Sequence, residues 1–81
     1  MNQFEYAILN AQEGRATWLN GQWMGGVAPT TTDSRRALES CPEELAQLNR
    51  MGAEGWQVVA ASTQPSGAGP LLTRYVLMRG R

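Results

Sequence analysis

Between residues 4 and 9 the side chains alternate, with Phe4, Tyr6 and Ile8 on one side of the chain and Glu5, Ala7 and Leu9 on the other, which is the period of a β-strand. A second extended region follows in "RATWLNGQWMGG". Its Asn20-Gly21 pair is the strongest short hairpin signal, because both central residues of a type I′ turn need positive φ, which Asn and Gly adopt at little cost. The expected hairpin covers residues 15–24. Counting outward from a two-residue turn pairs Leu19 with Gln22 and then Trp18 with Trp23, the latter at a non-hydrogen-bonded position where side chains approach most closely. "GGVAPTTTDSRR" then has the glycine, proline and threonine content of a connecting loop.

Beyond that loop the period becomes helical. Asp33 is placed to cap a short helical turn through "SRRALES", which Pro42 prevents from continuing. The main helix is expected from Ser40 as N-cap to about Met51, with Pro42 in its first turn. Glu43 stands three residues after the serine as in a capping box, and Glu43 and Glu44 suit the positive end of the dipole. Leu45 and Leu48, with Cys41 before them and Met51 after, form one apolar stripe, while Glu44, Gln47 and Arg50 face outward. In "LNRMGAEGWQVVAA", residues 48–61, Gly52 follows the last periodic position and is expected to end the helix in a left-handed conformation. Gly55 permits a second reversal, with Ala53 and Glu54 as the bridge, so that Trp56 enters a strand "WQVVAAS" with Trp56, Val58 and Ala60 on one face. "TQPSGAGP" reads as a turn or loop. "LLTRYVLMR" is the closing strand, with Leu71, Thr73, Tyr75 and Leu77 facing opposite to Leu72, Arg74, Val76 and Met78.

These elements specify an α+β fold: one domain over residues 1–81, an antiparallel sheet of four to five strands, and one main helix packed on one face. Phe4, Tyr6, Ile8, Leu45, Leu48, Trp56 and Val58 are the expected core. One helix covers one sheet face, and the other should then be polar. Here Ala7 and Leu9 stand opposite the Phe4 face, Val59 and Ala61 stand opposite Trp56 and Val58, and the closing strand is apolar on both sides. A patch of that size is unusual on a monomer and implies a homo-oligomer, most simply a symmetric dimer.

Phe4 and Tyr6, then Leu48, Asn49, Gly52, Ala53, Glu54, Gly55 and Trp56, then Val58, Val59 and Tyr75 follow a recognisable order. An N-terminal aromatic strand leads to a helix ending in Leu-Asn-x-x-Gly-Ala-Glu-Gly-Trp, an apolar strand and a closing strand. In this the chain resembles the small bacterial family called domain of unknown function 4177. The resemblance implies the same fold and brings no assigned activity. The hairpin and threonine-rich loop, at about 13–37, read as an insertion relative to it.

Seven arginines offset seven acidic residues, for a formal net charge of +0, so neither nucleic acid nor an anionic membrane is an expected partner. Trp18 and Trp23 also lack the interleaved basic residues of a base-stacking surface, with Arg15 alone nearby. No apolar run approaches the roughly 20 residues that cross a bilayer. A lone cysteine and an acidic, alternating N-terminus make the cytoplasm the expected location. The absence of histidine removes the commonest general base and the commonest metal ligand, so no metal and no cofactor is expected, and the chain is read as non-enzymatic.

Glu54 is the one acidic residue of the helix-turn-strand motif, and without a second carboxylate beside it is read as a turn residue rather than an acid or base. Cys41, near a helix start but with no base to serve it, reads as a small buried residue. "SGAGP" has the glycines of a phosphate cradle without its Lys-Ser/Thr or its following helix, and reads as a linker. Trp18 and Trp23 are expected as a core or subunit contact, with a ligand-stacking platform as the alternative. Together these readings favour a small non-catalytic module that self-assembles or binds a protein partner. The alternative is a small-ligand protein, for a nucleotide or metabolite, built around Trp18, Trp23 and the glycine-rich loops, with Glu54 and Trp56 as further contact residues.

Overall fold

Two tight turns build one half of the sheet. Glu13-Gly14 (φ 49° and 78°) joins β1 (Phe4–Gln12) to β2 (Arg15–Leu19), and Asn20-Gly21 (φ 51° and 83°) joins β2 to β3 (Gln22–Trp23). Both pairs have the two positive φ values of a type I′ turn, whose twist matches that of the strands it connects. The computed structural model describes residues 3–65 and 71–81. After β3 come α1 (Ser34–Glu39), α2 (Glu44–Ala53), β4 (Gln57–Pro65) and β5 (Leu71–Gly80). The five strands form one antiparallel sheet in the order β3-β2-β1-β5-β4, with one main helix, as an α+β reading requires. Residues 13–37 supply β2 and β3, which belong to this sheet, and the first four residues of α1. The "SGAGP" stretch, residues 66–70, lies outside the described residues.

The face of β1 that meets the helices is the opposite of the one expected. Ala7, Leu9 and Ala11 are buried, whereas Phe4, Tyr6 and Ile8 are exposed. Leu9 and Leu77, with Ala7, Ala16 and Met51, form the core, and Leu19, Met24, Leu48, Trp56 and Tyr75 pack against it. Alternation defines two faces without saying which is covered. The alanines at 7, 11 and 16 leave room for the segment before α2 to approach closely: the Ala16 N–H donates to the Pro42 carbonyl at 2.8 Å. Val58 is exposed too, because the helices leave β4 uncovered over its whole length.

The main helix starts later than a Ser40 cap would place it. Pro disfavours helical φ/ψ at the preceding Cys41, and Ser40 instead closes α1, its hydroxyl donating to the Ala37 carbonyl and accepting from the Val27 N–H. Glu43 is the N-cap of α2 without a side-chain cap bond, and the Glu44 N–H is met by the Gly14 carbonyl at 2.8 Å. Asp33 does cap α1, accepting from the Arg36 N–H at 3.0 Å.

The apolar stripe of α2 is rotated from the expected one. Gln47 is buried, at 4% exposure, while Leu45 is 61% exposed. At ~100° per residue, Glu44, Leu48 and Met51 centre the inward face and Leu45 sits on its flank. The helix also runs through Gly52 to Ala53, so Gly52 is not a turn residue and has no positive φ. The left-handed residue is Gly55, at φ 94°, and the Trp56 N–H returns to the Met51 carbonyl at 3.0 Å, satisfying an orphan carbonyl of the last helical turn. Thr63, Gln64 and Pro65, expected in a loop, belong to β4. A bulge between Val58 and Ala60 reverses the faces after it, so that Val58 lies with Leu77 and Ala60 with Val76 on the other side.

Candidate functional site

Three regions hold the residues that sequence reasoning singled out. At the hairpin, Trp18 and Trp23 oppose each other across the β2–β3 ladder, with ring centroids 5.3 Å apart and planes at 66°. This edge-on arrangement contributes about 0.5–1.5 kcal/mol beyond burial. Asn20 does more than turn the chain: its backbone N–H donates to the Ile8 carbonyl at 2.8 Å, and its side-chain oxygen accepts from the Ile8 N–H at 2.9 Å. The Trp23 indole N–H donates to the Val27 carbonyl at 2.7 Å, so its polar edge is already occupied. A cavity of about 410 Å³ opens beside the hairpin, lined by Leu19, Asn20, Gln22, Trp23 and Met24. Trp18 does not line it.

At the other end of the sheet, Glu54 and Trp56 belong to a structural cluster. The Arg79 guanidinium lies 4.5 Å from the centre of the Trp56 ring, donates to the Glu54 carbonyl at 3.2 Å, and pairs with the Glu5 carboxylate, which Arg81 also approaches at 3.8 Å. Arg79 thereby ties the α2–β4 turn to β1 and β5. Glu54 contributes its backbone here, and its carboxylate has no hydrogen-bond partner among the described residues. The Trp56 face that a planar ligand would need is covered by the guanidinium.

Chemistry elsewhere is sparse. Cys41 is buried at 2% exposure, and its thiol pKa is raised by that burial, with Arg15 acting in the opposite sense. A protonated buried thiol is a poor nucleophile. The Tyr75 hydroxyl donates to the Glu44 carboxylate, and this bond, together with burial, holds its pKa above the ordinary value. Sequence reasoning missed this pair, which joins α2 to β5 across 31 positions. Asn10 Oδ1 and Gln47 Oε1 are buried without a partner among the described residues, but neither borders the hairpin cavity. No group of three or more His, Cys, Asp or Glu among the described residues is arranged to hold a metal. Among the described residues no helix is long and apolar enough to cross a membrane.

What remains is a surface. Cross-strand register sets Tyr6 beside Met78 and Ile8 beside Val76 on the sheet face opposite Leu9 and Leu77, with Ala60 beyond Val76. Phe4, Tyr6 and Ile8 stand 49%, 62% and 41% exposed there. No family model, no curated protein and no solved structure matches the chain.

Proposed function

We propose that this protein is a non-catalytic interaction module that assembles with itself or with another protein through the sheet face its helices leave open. The observation that carries this reading is the contrast across β1, where Leu9 is wholly buried and its neighbours Tyr6 and Ile8 are exposed. An aromatic and aliphatic patch across adjacent strands is the usual mark of a protein contact surface. The polar pairs found elsewhere, Arg79 with Glu5, Tyr75 with Glu44 and Asn20 with Ile8, hold the fold.

A photo-crosslinking residue at position 6 tests this in cells that make the protein. Adducts to a protein are expected from position 6 and not from position 45, an equally exposed site on α2. The absence of any protein adduct from position 6 overturns the reading.

A second reading, binding of a small ligand, is favoured by the hairpin cavity, whose volume of about 410 Å³ falls within the range of small-molecule sites. A thermal-shift screen against nucleotides and metabolites tests it. Stabilisation by one chemical class that is lost in Trp23→Ala would favour this reading over the first.

A further inference from the structure

We propose that the occupant of the open sheet face is a second copy of this chain, the two sheets stacking face to face into a helix–sheet–sheet–helix sandwich. The inference rests on the interaction reading above and specifies its partner.

Size is the first argument. β1, β4 and β5 have 9, 9 and 10 residues. At ~3.3 Å per residue and ~4.8 Å between strands, they present a patch of about 30 by 15 Å. Two such patches stacked together cover about 900 Å² in flat projection, before side-chain relief is counted, which approaches the ~1,200 Å² lower end of specific interfaces. β2 extends the patch beside β1.

Charge is the second. Arg74, in register with Asn10 and Ser62, is the one charged side chain that these three strands place on the face. A strongly basic partner would find no carboxylate there to pair with, and a strongly acidic one would find a single arginine. The face is instead self-complementary about a two-fold axis that lies in the interface and crosses the strands at the Ile8–Val76 pair. That axis sends the two Arg74 side chains to opposite ends. Each then lies over the partner copy's Tyr6–Met78 pair, where a guanidinium is attracted to an aromatic face.

Core size is the third argument. The buried cluster comprises Ala7, Leu9, Ala16, Met51 and Leu77, of which two are alanines. A chain of 81 residues buries a small share of its surface. A second copy adds a second apolar layer to the same sheet.

Light scattering on the purified full chain at micromolar concentration should give twice the 8.9 kDa of one chain. Ile8→Arg and Val76→Arg should each reduce the mass to one chain while the circular dichroism spectrum is kept, whereas Leu45→Arg, on α2, should leave the pair intact. Tyr6→Ala introduces no charge and should raise the dissociation constant at least about tenfold, as truncation of an aromatic anchor does. A single-chain mass for the unaltered protein, a pair that survives both arginine substitutions, or an unchanged dissociation constant in Tyr6→Ala would each overturn the inference. A protein that is monomeric alone, yet crosslinks from position 6 to a different protein in cells, would overturn the second copy and leave the interaction reading standing.

Discussion

The two faces of β1 differ more in the size of their side chains than in their polarity. Ala7, Leu9 and Ala11 lie under the helices, and Phe4, Tyr6 and Ile8, with a larger apolar area, do not. A sheet face that accepts a helix and its hydrogen-bonded connection needs depth, and the alanines of β1 and β2 supply it around Leu9. The bulky face is suited to packing against another sheet, at the usual ~10 Å spacing. Hydrophobicity alone would assign the larger residues to the core. Space for the covering layer decides otherwise.

The contrast is broken most directly by truncating one residue on each face. Leu9→Ala removes a side chain with no solvent exposure and should cost about 2–5 kcal/mol, as large-to-small core changes do. Tyr6→Ala, three positions back on the other face, should cost under ~1 kcal/mol in the folding of the single chain, because its side chain is 62% exposed there. Urea melts at concentrations low enough to dissociate any pair measure both. Equal losses would mean that the open face is as much a part of the single-chain core as the covered one.

Much of the fold was legible because local chemistry agreed with the outcome. Asn20-Gly21 admits few alternatives to a tight hairpin, and the Trp18–Trp23 pairing followed by counting. Asp33 and the short helix after it were equally local. The illegible parts depended on distant partners. The start of α2 is fixed by the Gly14 carbonyl, thirty positions upstream of Glu44, so the Ser-Cys-Pro-Glu signal at residues 40–43 pointed to a cap that tertiary structure replaces. The rotation that buries Gln47 instead of Leu45 follows from where that connection delivers the helix. The Glu13-Gly14 turn carried a weaker version of the Asn-Gly signal and went unread. Of the candidate site, the tryptophan hairpin was legible and the Arg79 cluster was not, since Glu5 and Arg79 meet across 74 positions.

The end of α2 sharpens the comparison, because it determines how much helix lies over the covered face. Gly55, at φ 94°, makes the reversal into β4, whereas Gly52 has ordinary helical φ and open space where a Cβ would stand. Gly55→Val should therefore cost about 1–2 kcal/mol or more, since a β-branched residue resists a left-handed backbone. Gly52→Ala should stabilise the protein by up to about 1 kcal/mol, through helix propensity and a less flexible unfolded chain. Midpoints of thermal or urea unfolding distinguish the two positions. A loss at Gly52 matching that at Gly55 would move the helix end two to three residues earlier and uncover part of the Leu9 face.

A modest expected effect tests the polar tie on the same face. Tyr75 lies beside Leu9 in the register of β1 and β5, and its hydroxyl donates to Glu44 in the first turn of α2. Removing the donor in Tyr75→Phe should cost about 1 kcal/mol, a typical net value for one such bond. The pH dependence makes the assignment specific. The hydrogen bond to Glu44, followed by burial and the nearby carboxylate charge, raises the folded-state pKa of Tyr75. The folded protein thus holds this proton more tightly than the unfolded chain does. Its contribution is fully present below the unfolded value of about 10, and is lost as pH rises through the higher folded value. Unfolding free energies measured from pH 8 upward should fall more steeply for the unaltered protein than for Tyr75→Phe, with the two curves converging at high pH. Parallel curves would show that the hydroxyl–carboxylate bond does not hold α2 to the sheet, leaving Leu48 and Met51 to hold the helix over the covered face.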